Sequence, residues 1–318
     1  MNPAEPLLAT RRGRLRAFRE AAEPLILDGA NRGIGEIRTP ASFSLHRLAD
    51  SLESSAAPSI AILTGFPILI GDDAVEFEND GPIGAGMLAG AFAALGWPVT
   101  MISDVKAGAI IDGVVTATGA GGAETLLLER SVTAGSAYGR AVTAKLTARG
   151  VTHLLAIERP GRARDGEYYN MRAQPIGRHI IATDDLVIGR PWQTAAFADG
   201  GNEIGMGRVG IARIAKHIDE GATIVSRTPV DFLTLCGVSN WGAYGLLAAL
   251  VAADPALRKP LFPFLSVQMN GQLFEACKVA GAVDGVTRRQ TNSIDNLPLS
   301  VHNAKVRAFR ALAERLTA

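Results

Sequence analysis

Short runs of apolar and β-branched residues recur along the chain, and glycine, proline or polar residues follow each run. Such runs are typical of buried strands, and they predict strands at residues 59–63, 99–102, 153–157, 193–198 and 222–225. Between them apolar residues return at helical spacing, which predicts helices at residues 84–95, 131–149, 204–218 and 241–251. Strands that alternate with helices favour a mostly parallel sheet.

The predicted strands are apolar along almost their whole length, as in sheets that helices cover on both faces. We therefore expect an α/β protein with a Rossmann-like three-layer sandwich. Residues 1–56 are predicted to be a helical segment that packs on the sheet, and residues 272–279 a further helix. No linker-like stretch divides the chain, so we expect one domain over residues 1–318.

Composition and charge exclude several classes of protein. With 47% hydrophobic residues, the chain has enough apolar side chains for a core and is not disordered. Its 32 Lys and Arg against 31 Asp and Glu give no basic surface for nucleic acid or an anionic membrane. Two cysteines suit a reducing compartment, and the apolar runs are too short to span a bilayer. We expect a cytoplasmic protein with a small-molecule substrate, and a homo-oligomer stays open.

Glycines gather in the loops that follow the predicted strands. The chain has 35 of them, about 11% of its residues against a usual ~7%. Ligands of parallel α/β sheets bind at the carboxyl ends of the strands, where such loops converge. These loops are therefore the place to look for chemistry.

The first of these loops carries acids, and the second combines an acid with arginines. Asp80 precedes a predicted helix and is explained as the cap of that helix, or as part of a polar ligand shelf at its N-terminus. Glu158 and Arg159 follow a strand, with Asn170 and Arg172 farther along the same loop. The arginines form either surface ion pairs or a clamp for a carboxylate.

The DGGNE segment at residues 199–203 is the most informative loop. It follows a predicted strand and opens a predicted helix, so the N–H groups of Gly200 and Gly201 are suited to an anion. Loop geometry requires the glycines, but it does not require Asp199, Asn202 and Glu203 beside them.

Three other features have plain structural explanations. Residues 205–210 read GMGRVG and match GxGxxG, but they begin too late after the strand for a dinucleotide fingerprint, so we reject that interpretation. Ser239 and Asn240 precede an Ala- and Leu-rich predicted helix and suit its N-cap. Asp284 and Asp295 are explained as turn residues.

Taken together, four segments resemble the D-glutamate cyclase family. They are TGFPI (64–68), NDGPIGA (79–85), ERPGRARDGEYYNMR (158–172) and DGGNEIGMG (199–207). The resemblance runs over about residues 58–300 and implies reversible closure of D-glutamate to 5-oxo-D-proline with loss of water. Two stretches depart from the family pattern: residues 78–82 read ENDGP where ETDGP is common, and residues 183–192 are unlike the usual sequence.

The resemblance implies site residues at Asp80, Glu158, Arg159, Asn170, Arg172, Asp199, Asn202 and Glu203. Lactam formation needs a base for the amine and an acid for the departing oxygen, and two carboxylates in different environments supply them. We assign Asp199 or Glu203 as the base and Glu158 as the acid, and the two roles are interchangeable. Arg159 and Arg172 are expected to anchor the substrate carboxylate, while the N–H groups of the glycine loop hold the oxyanion.

Three alternatives remain open at this point. A related lactam, cyclic imide or hydantoin-type ring is an alternative substrate for a hydrolase. Asp80, Glu158, Asp199 and Glu203 also offer oxygen ligands for Mg²⁺ or Mn²⁺, which suits a metal-assisted hydrolase, and the need for a cofactor stays open. A non-catalytic amino-acid-binding protein would use the same residues, with Ser239 and Asn240 as further contacts.

Overall fold

Six parallel strands form the central sheet of the protein. A computed structural model describes residues 8–29, 32–71 and 74–318. The strands are β1 (Ile60–Thr64), β2 (Pro67–Leu69), β3 (Val75–Phe77), β4 (Val99–Asp104), β5 (Glu124–Leu128), β6 (His153–Ile157), β7 (Gln193–Ala198), β8 (Phe232–Leu235), β9 (Ser293–Ile294) and β10 (Leu297–Pro298). The main sheet has the order β5-β4-β1-β6-β7-β8, while β2 with β3 and β9 with β10 form short antiparallel hairpins.

This strand order decides where a ligand can bind. Numbered along the chain among the six parallel strands, it is 3-2-1-4-5-6, the order of doubly wound nucleotide-binding sheets. The chain changes direction across the sheet between β1 and β6, which pair in parallel with Ile60 opposite His153. In such sheets a crevice opens outside the carboxyl ends of the strands at this point.

Helices cover both faces of the sheet. They are α1 (Arg11–Leu27), α2 (Leu45–Ser54), α3 (Pro82–Ala94), α4 (Gly108–Ala117), α5 (Ala137–Ala148), α6 (Ile211–His217), α7 (Gly221–Ile224), α8 (Asn240–Ala253), α9 (Arg258–Leu261), α10 (Val267–Val279) and α11 (Leu299–Leu316). Successive strand residues point to opposite faces. Ile60 and Ile62 join a core with α3 and α8, whereas Ala61 and Leu63 join a second core with α5 and α6. The predicted three-layer α/β sandwich is confirmed.

Four predicted strands are confirmed as β1, β4, β6 and β7, but the prediction at 222–225 is wrong. Residues 222–224 lie in the one-turn helix α7, Val225 follows that helix, and the sixth strand is β8. The apolar pattern of so short a run fits a strand or a helical turn equally well. Here Glu220, with a φ of 56°, turns the chain into the helix.

Two predicted helices are shorter than expected. The segment 131–149 becomes helical only at Ala137, because the Ser136 side chain caps α5 by accepting a hydrogen bond from Gly139 N. The segment 204–218 is interrupted by Gly205 and Gly210, whose φ angles are 107° and 96°. The pattern did not predict α4, β5 or α11, and the helix expected at 272–279 begins earlier, as α10.

The N-terminal helices α1 and α2 bury Phe18 and Leu48 in the core that contains α8. Residues 1–7, 30 and 31 of the predicted N-terminal segment lie outside the described residues. Within the described ranges, no helix combines the length and apolar character needed to cross a membrane.

Helix α8 packs so closely on the sheet that Gly242 has no room for a side chain. A Cβ atom there would lie 2.3 Å from Cγ of Phe197, in the strand that leads to Asp199. Gly271, within α10, is a matched comparison because a Cβ atom there would meet nothing within 4 Å.

We expect Gly242→Ala to lower the free energy of unfolding by about 1–3 kcal/mol, because the extra methyl group overpacks the core. Gly271→Ala is expected to raise it by about 0.5–1 kcal/mol, because alanine favours a helix over glycine. Urea unfolding of the two variants beside the wild type measures both changes. Equal stabilisation by the two substitutions would contradict the packing argument.

Candidate active site

A small cavity opens at the carboxyl ends of the strands, beside β1, β6 and β7. Its volume is about 160 Å³, below the ~300–1,000 Å³ of sites for drug-sized ligands. Five acidic residues line it among those described: Glu78, Asp80, Glu158, Asp199 and Asp295. Three arginines, two asparagines and the apolar Phe66, Ile68, Leu69 and Met171 share the lining. The site therefore suits a small ligand that combines charged groups with a short apolar chain.

Asp80 and Asn240 tie two helix N-termini together beside the cavity. Asp80 Oδ1 accepts hydrogen bonds from Gly81 N and Asn240 N, both 2.9 Å, and its Oδ2 accepts one from Ser239 N at 3.0 Å. Asn240 Oδ1 in turn accepts from Gly81 N at 3.0 Å and Gly84 N at 2.6 Å. Asp80 was predicted as the cap of its own helix, but its carboxylate mainly serves the start of α8. Asn240, predicted as the cap of α8, caps α3.

The loop that carries Asp80 enters the crevice between β1 and β6 because Gly81 has no side chain. Gly81 has a φ of 92°, and a Cβ atom there would lie 2.4 Å from Thr64 Oγ1 and 2.8 Å from Ile157 O. On the other side of the crevice Glu158 has a φ of 43°, which is uncommon outside glycine. Ser239 Oγ donates a 2.6 Å hydrogen bond to Glu158 Oε2.

Asp199 and Glu203 have very different surroundings, although they are four residues apart. Glu203 Oε1 accepts hydrogen bonds from Asp199 N at 3.1 Å and Gly200 N at 2.5 Å, and its Oε2 accepts one from Gly201 N at 2.7 Å. Both Asp199 oxygens are buried and accept no hydrogen bond in the described part of the chain. Glu203 therefore shapes the turn, whereas Asp199 has free lone pairs at the cavity.

The hydrogen bonds of Glu203 also contradict two predicted contacts with a ligand. The N–H groups of Gly200 and Gly201 were predicted to hold an oxyanion, but they already donate to Glu203. Glu203 was a candidate base, but its carboxylate is fully engaged with the backbone and is absent from the cavity lining. Asp199 is thus the member of this loop that is placed to act as a base.

Burial makes the acids of the cavity hard to ionise. Burial and the neighbouring Asp295 raise the pKa of Asp80 to about 7, although three backbone N–H groups oppose this. Burial, followed by the charge of other cavity acids, also raises the pKa of Glu78, Glu158 and Asp199 well above the usual range. The pKa of Asp295 is raised by burial despite its contact with Arg32. Like charges in so small a space cannot all ionise, so the cavity stores protons at neutral pH.

Arg32 is the most deeply placed arginine of the cavity lining. Its Nη2 donates a 2.6 Å hydrogen bond to Asp295 Oδ1, and its Nη1 lies 3.6 Å from Asp199 Oδ1. Its side chain is 27% exposed, whereas Arg172 and Arg288 are exposed residues. The positive charge that faces the acids comes from the segment between α1 and α2.

Arg159 was expected to anchor a substrate carboxylate, but its guanidinium lies behind the cavity. It is fully buried and donates to Asp104 Oδ1 at 2.6 Å, to Gly65 O at 3.0 Å and to Ile181 O at 2.5 Å. These contacts join the loops after β1 and β6 to Asp104 at the end of β4. The geometry therefore gives Arg159 a structural role.

The predicted asparagines line the cavity through organised loops. Asn170 Oδ1 accepts hydrogen bonds from the backbone of Arg172 and Gln174, at 2.9 Å and 3.0 Å. Asn202 Nδ2 donates to Tyr169 O at 2.7 Å, which joins the loop after β6 to the loop after β7. Both residues line the cavity with Arg172.

Two groups of carboxylate oxygens are close enough to surround a metal ion. They are Asp80 with Asp199 and Asp295, and Glu158 with Asp199 and Glu203; within each group the oxygens lie within 4.8 Å of one another. The second group contains three of the four residues that were predicted as metal ligands. Its Glu203 carboxylate, however, already accepts hydrogen bonds from backbone N–H groups. In the first, Arg32 already faces Asp199 and Asp295.

Comparison with known proteins shows the family of this chain. A family model described as D-glutamate cyclase-like, C-terminal, matches residues 23–310. The chain belongs to this family. The human protein named D-glutamate cyclase, mitochondrial, is 36% identical over 244 residues, which are 73% of this chain. The match covers 38% of the human protein, so this chain spans well under half of that relative's length.

Three residues that line the cavity of this D-glutamate cyclase-like family member were not predicted as site residues. Arg32 and Arg288 were not singled out, and Asp295 was predicted only as a turn residue. Asp295 and Asn296 form the two-residue turn between β9 and β10, with φ angles of 53° and 62°, so the turn interpretation is also confirmed. The Asp284 carboxylate supports it by accepting from Asn296 N at 2.8 Å. The local sequence gave one indication of a site at Arg32: this arginine precedes Gly33 in the segment that follows a helix.

The raised pKa values predict how the stability of this cyclase-like protein depends on pH. An acid with a higher pKa in the folded state binds more protons when folded, so stability falls as pH rises between the two pKa values. For Asp80 this window runs from about 3.8 to about 7. We expect Glu78→Gln, which removes one such acid, to stabilise the protein more at pH 8 than at pH 5.

Urea unfolding at the two pH values measures this effect. The gain is expected to grow by up to about 1.4 kcal/mol per pH unit while one net proton is involved. Glu20→Gln, at a solvent-exposed ion pair, is the control and should give the same small change at both pH values. A gain from Glu78→Gln that is independent of pH would contradict the prediction.

Arg159→Met tests the structural role of Arg159. It leaves Asp104 buried without its partner, which typically costs about 3–5 kcal/mol. Arg16→Met, which removes a solvent-exposed i,i+4 pair, is expected to cost less than about 0.5 kcal/mol. If Arg159 were instead a substrate anchor, the variant would keep its unfolding midpoint and show only a raised KM.

Proposed function

We propose that the protein interconverts D-glutamate and 5-oxo-D-proline, with loss or gain of water. The observation that carries the proposal is the set of buried carboxyl groups with raised pKa values around one small cavity. Family membership and the human relative named D-glutamate cyclase support the same assignment. The apolar part of the lining suits the methylene chain of glutamate.

The proton balance of the reaction explains why several acids are useful. An ammonium group and a carboxylate become an amide and water, so the nitrogen loses two protons and the departing oxygen gains two. No net proton enters or leaves. The protein has to take protons at the nitrogen and deliver them at the oxygen, and groups whose pKa lies near the working pH do this best.

We assign the two ends of this proton transfer to different residues. Asp199 has free lone pairs, and the charges of Arg32 and of the bound ammonium group favour its ionised form, so it takes the proton from the α-ammonium group. Glu158, whose raised pKa keeps its carboxyl group protonated, donates to the departing γ-carboxylate oxygen. Ser239 Oγ holds Glu158 Oε2, which leaves Oε1 for the substrate. Asp80, whose pKa is about 7, is suited to passing the second proton.

The tetrahedral oxyanion needs hydrogen-bond donors other than the glycine loop, because Gly200 and Gly201 serve Glu203. Protonated Glu158 and the arginines Arg172 and Arg288 are among the donors that line the cavity. Removing one such donor commonly costs about 10²–10³ in kcat.

The test is turnover of D-glutamate and of 5-oxo-D-proline by the purified chain, followed by chiral chromatography. Asp199→Asn and Glu158→Gln are each expected to lower kcat by about 10²–10⁴, the usual contribution of a general base or acid. Glu20→Gln, at an exposed surface pair, should keep wild-type activity. Full activity in either cavity variant would contradict its assigned role.

The same assay separates the alternatives. Turnover of another lactam or of a cyclic imide, without turnover of either proposed substrate, would make the protein a related hydrolase. Stabilisation by an amino acid without any turnover would make it a binding protein. Activity that is lost with a chelator and restored by Mg²⁺ or Mn²⁺ would support a metal at the Asp80, Asp199 and Asp295 oxygens.

A further inference from the structure

Arg32 and Asp295 reach the cavity from segments outside the main sheet. Arg32 lies between α1 and α2, and Asp295 lies at the tip of the β9–β10 hairpin. Their φ angles are 59° and 53°, values that are uncommon outside glycine and that gather at functional sites. The 2.6 Å bond between them holds an opposite-charge pair at the cavity.

One carboxylate oxygen each from Asp80, Asp199 and Asp295 lies close enough to the others for all three to receive the N–H groups of one primary ammonium group. They all lie within 4.8 Å of one another. An ammonium group has three N–H donors. Charge-assisted bonds of about 2.8 Å that diverge at tetrahedral angles place their acceptors about 4.6 Å apart.

Asp199 gives an independent indication that a donor is expected here. Its side chain is only 2% exposed, yet neither oxygen accepts a hydrogen bond in the described part of the chain. Arg32 Nη1, at 3.6 Å, supplies charge but is too far away for a hydrogen bond. A buried carboxyl group whose oxygens accept no hydrogen bond is costly, and a donor from a ligand would remove that cost.

Arg32 also has donors to spare. A guanidinium carries five N–H groups in a planar fork that matches a carboxylate. The only hydrogen bond that it makes to described residues goes to Asp295. Arg159, in contrast, uses Nε and both terminal nitrogens within the protein.

We propose that these residues form a clamp for the head group of an α-amino acid. The Asp80–Asp199–Asp295 triad binds the ammonium group, and Arg32 binds the α-carboxylate. The clamp rests on the proposed function, because it places the amine against Asp199, the residue that has to deprotonate it. It also makes the open amino acid the form that is recognised, since 5-oxoproline has no ammonium group.

Calorimetric binding of three ligands separates the two halves of the clamp. D-glutamate has both groups, glutarate lacks the ammonium group and 4-aminobutyrate lacks the α-carboxylate. The wild type is expected to bind D-glutamate about 10- to 100-fold more tightly than either analogue, the value of one charge-assisted contact.

Two variants then give opposite patterns. Arg32→Gln should weaken D-glutamate and glutarate by about 10- to 100-fold and leave 4-aminobutyrate unchanged. Asp295→Asn should weaken D-glutamate and 4-aminobutyrate and leave glutarate unchanged. Arg32→Lys, which keeps the charge but loses the fork, should fall between Arg32→Gln and wild type. Arg16→Gln is the control, and thermal unfolding verifies that each variant folds.

The outcomes distinguish this clamp from the proposed function. Equal weakening of all three ligands by Arg32→Gln, unchanged binding of all three, or no binding of any to the wild type overturns the clamp. Turnover of D-glutamate with any of these patterns keeps the proposed function and rejects the clamp. The expected binding pattern without turnover keeps the clamp and rejects the proposed function.

Discussion

Two helices that begin at the cavity are each capped by a side chain from the start of the other. Asp80 accepts N–H groups at the start of α8, and Asn240 accepts N–H groups at the start of α3. The first turn of a helix leaves backbone donors unpaired, so both ends would be costly to bury without these side chains. The same bonds fix the cavity, because they hold the Asp80 loop in the crevice between β1 and β6. The hydrogen bonds of Asp80 and Asn240 therefore stabilise the fold and shape the cavity at the same time.

The consequence of that arrangement is a crowded set of acids. Two helix N-termini favour negative charge at Asp80, but burial and Asp295 outweigh them, and its pKa reaches about 7. Arg32 offsets only part of the charge of the other four acids. Replacing some of these buried carboxyl groups would make the folded protein more stable. Their presence therefore indicates a function that moves protons. Glu203 shows the contrast: three backbone N–H groups hold it, and it only shapes a turn.

The parts that sequence reasoning predicted well are those fixed by local pattern. The apolar runs that became β1, β4, β6 and β7 are long enough to distinguish strand from helix, and the acids that follow them in the chain had to meet at one edge of a parallel sheet. The run at 222–225 was too short for that distinction. Glu203 and Arg159 were predicted at the right place along the chain, but sequence spacing does not say which way a side chain turns. Arg159 turns back toward Asp104, and Glu203 turns toward its own loop.

Residue types at short spacing are enough to predict the α/β alternation, the loops that carry the chemistry and the family. Asp80 accepts two backbone N–H groups at the start of α8 and one, from Gly81, at the start of α3, and this sharing depends on how the two helices meet in the folded protein. The packing of the layers also places Arg32 opposite the acids. It brings Asp295 to Asp199, which lies almost a hundred residues earlier along the chain, and to Asp80, which lies more than two hundred residues earlier. Contacts between distant segments follow from how the layers pack, and no local pattern records them.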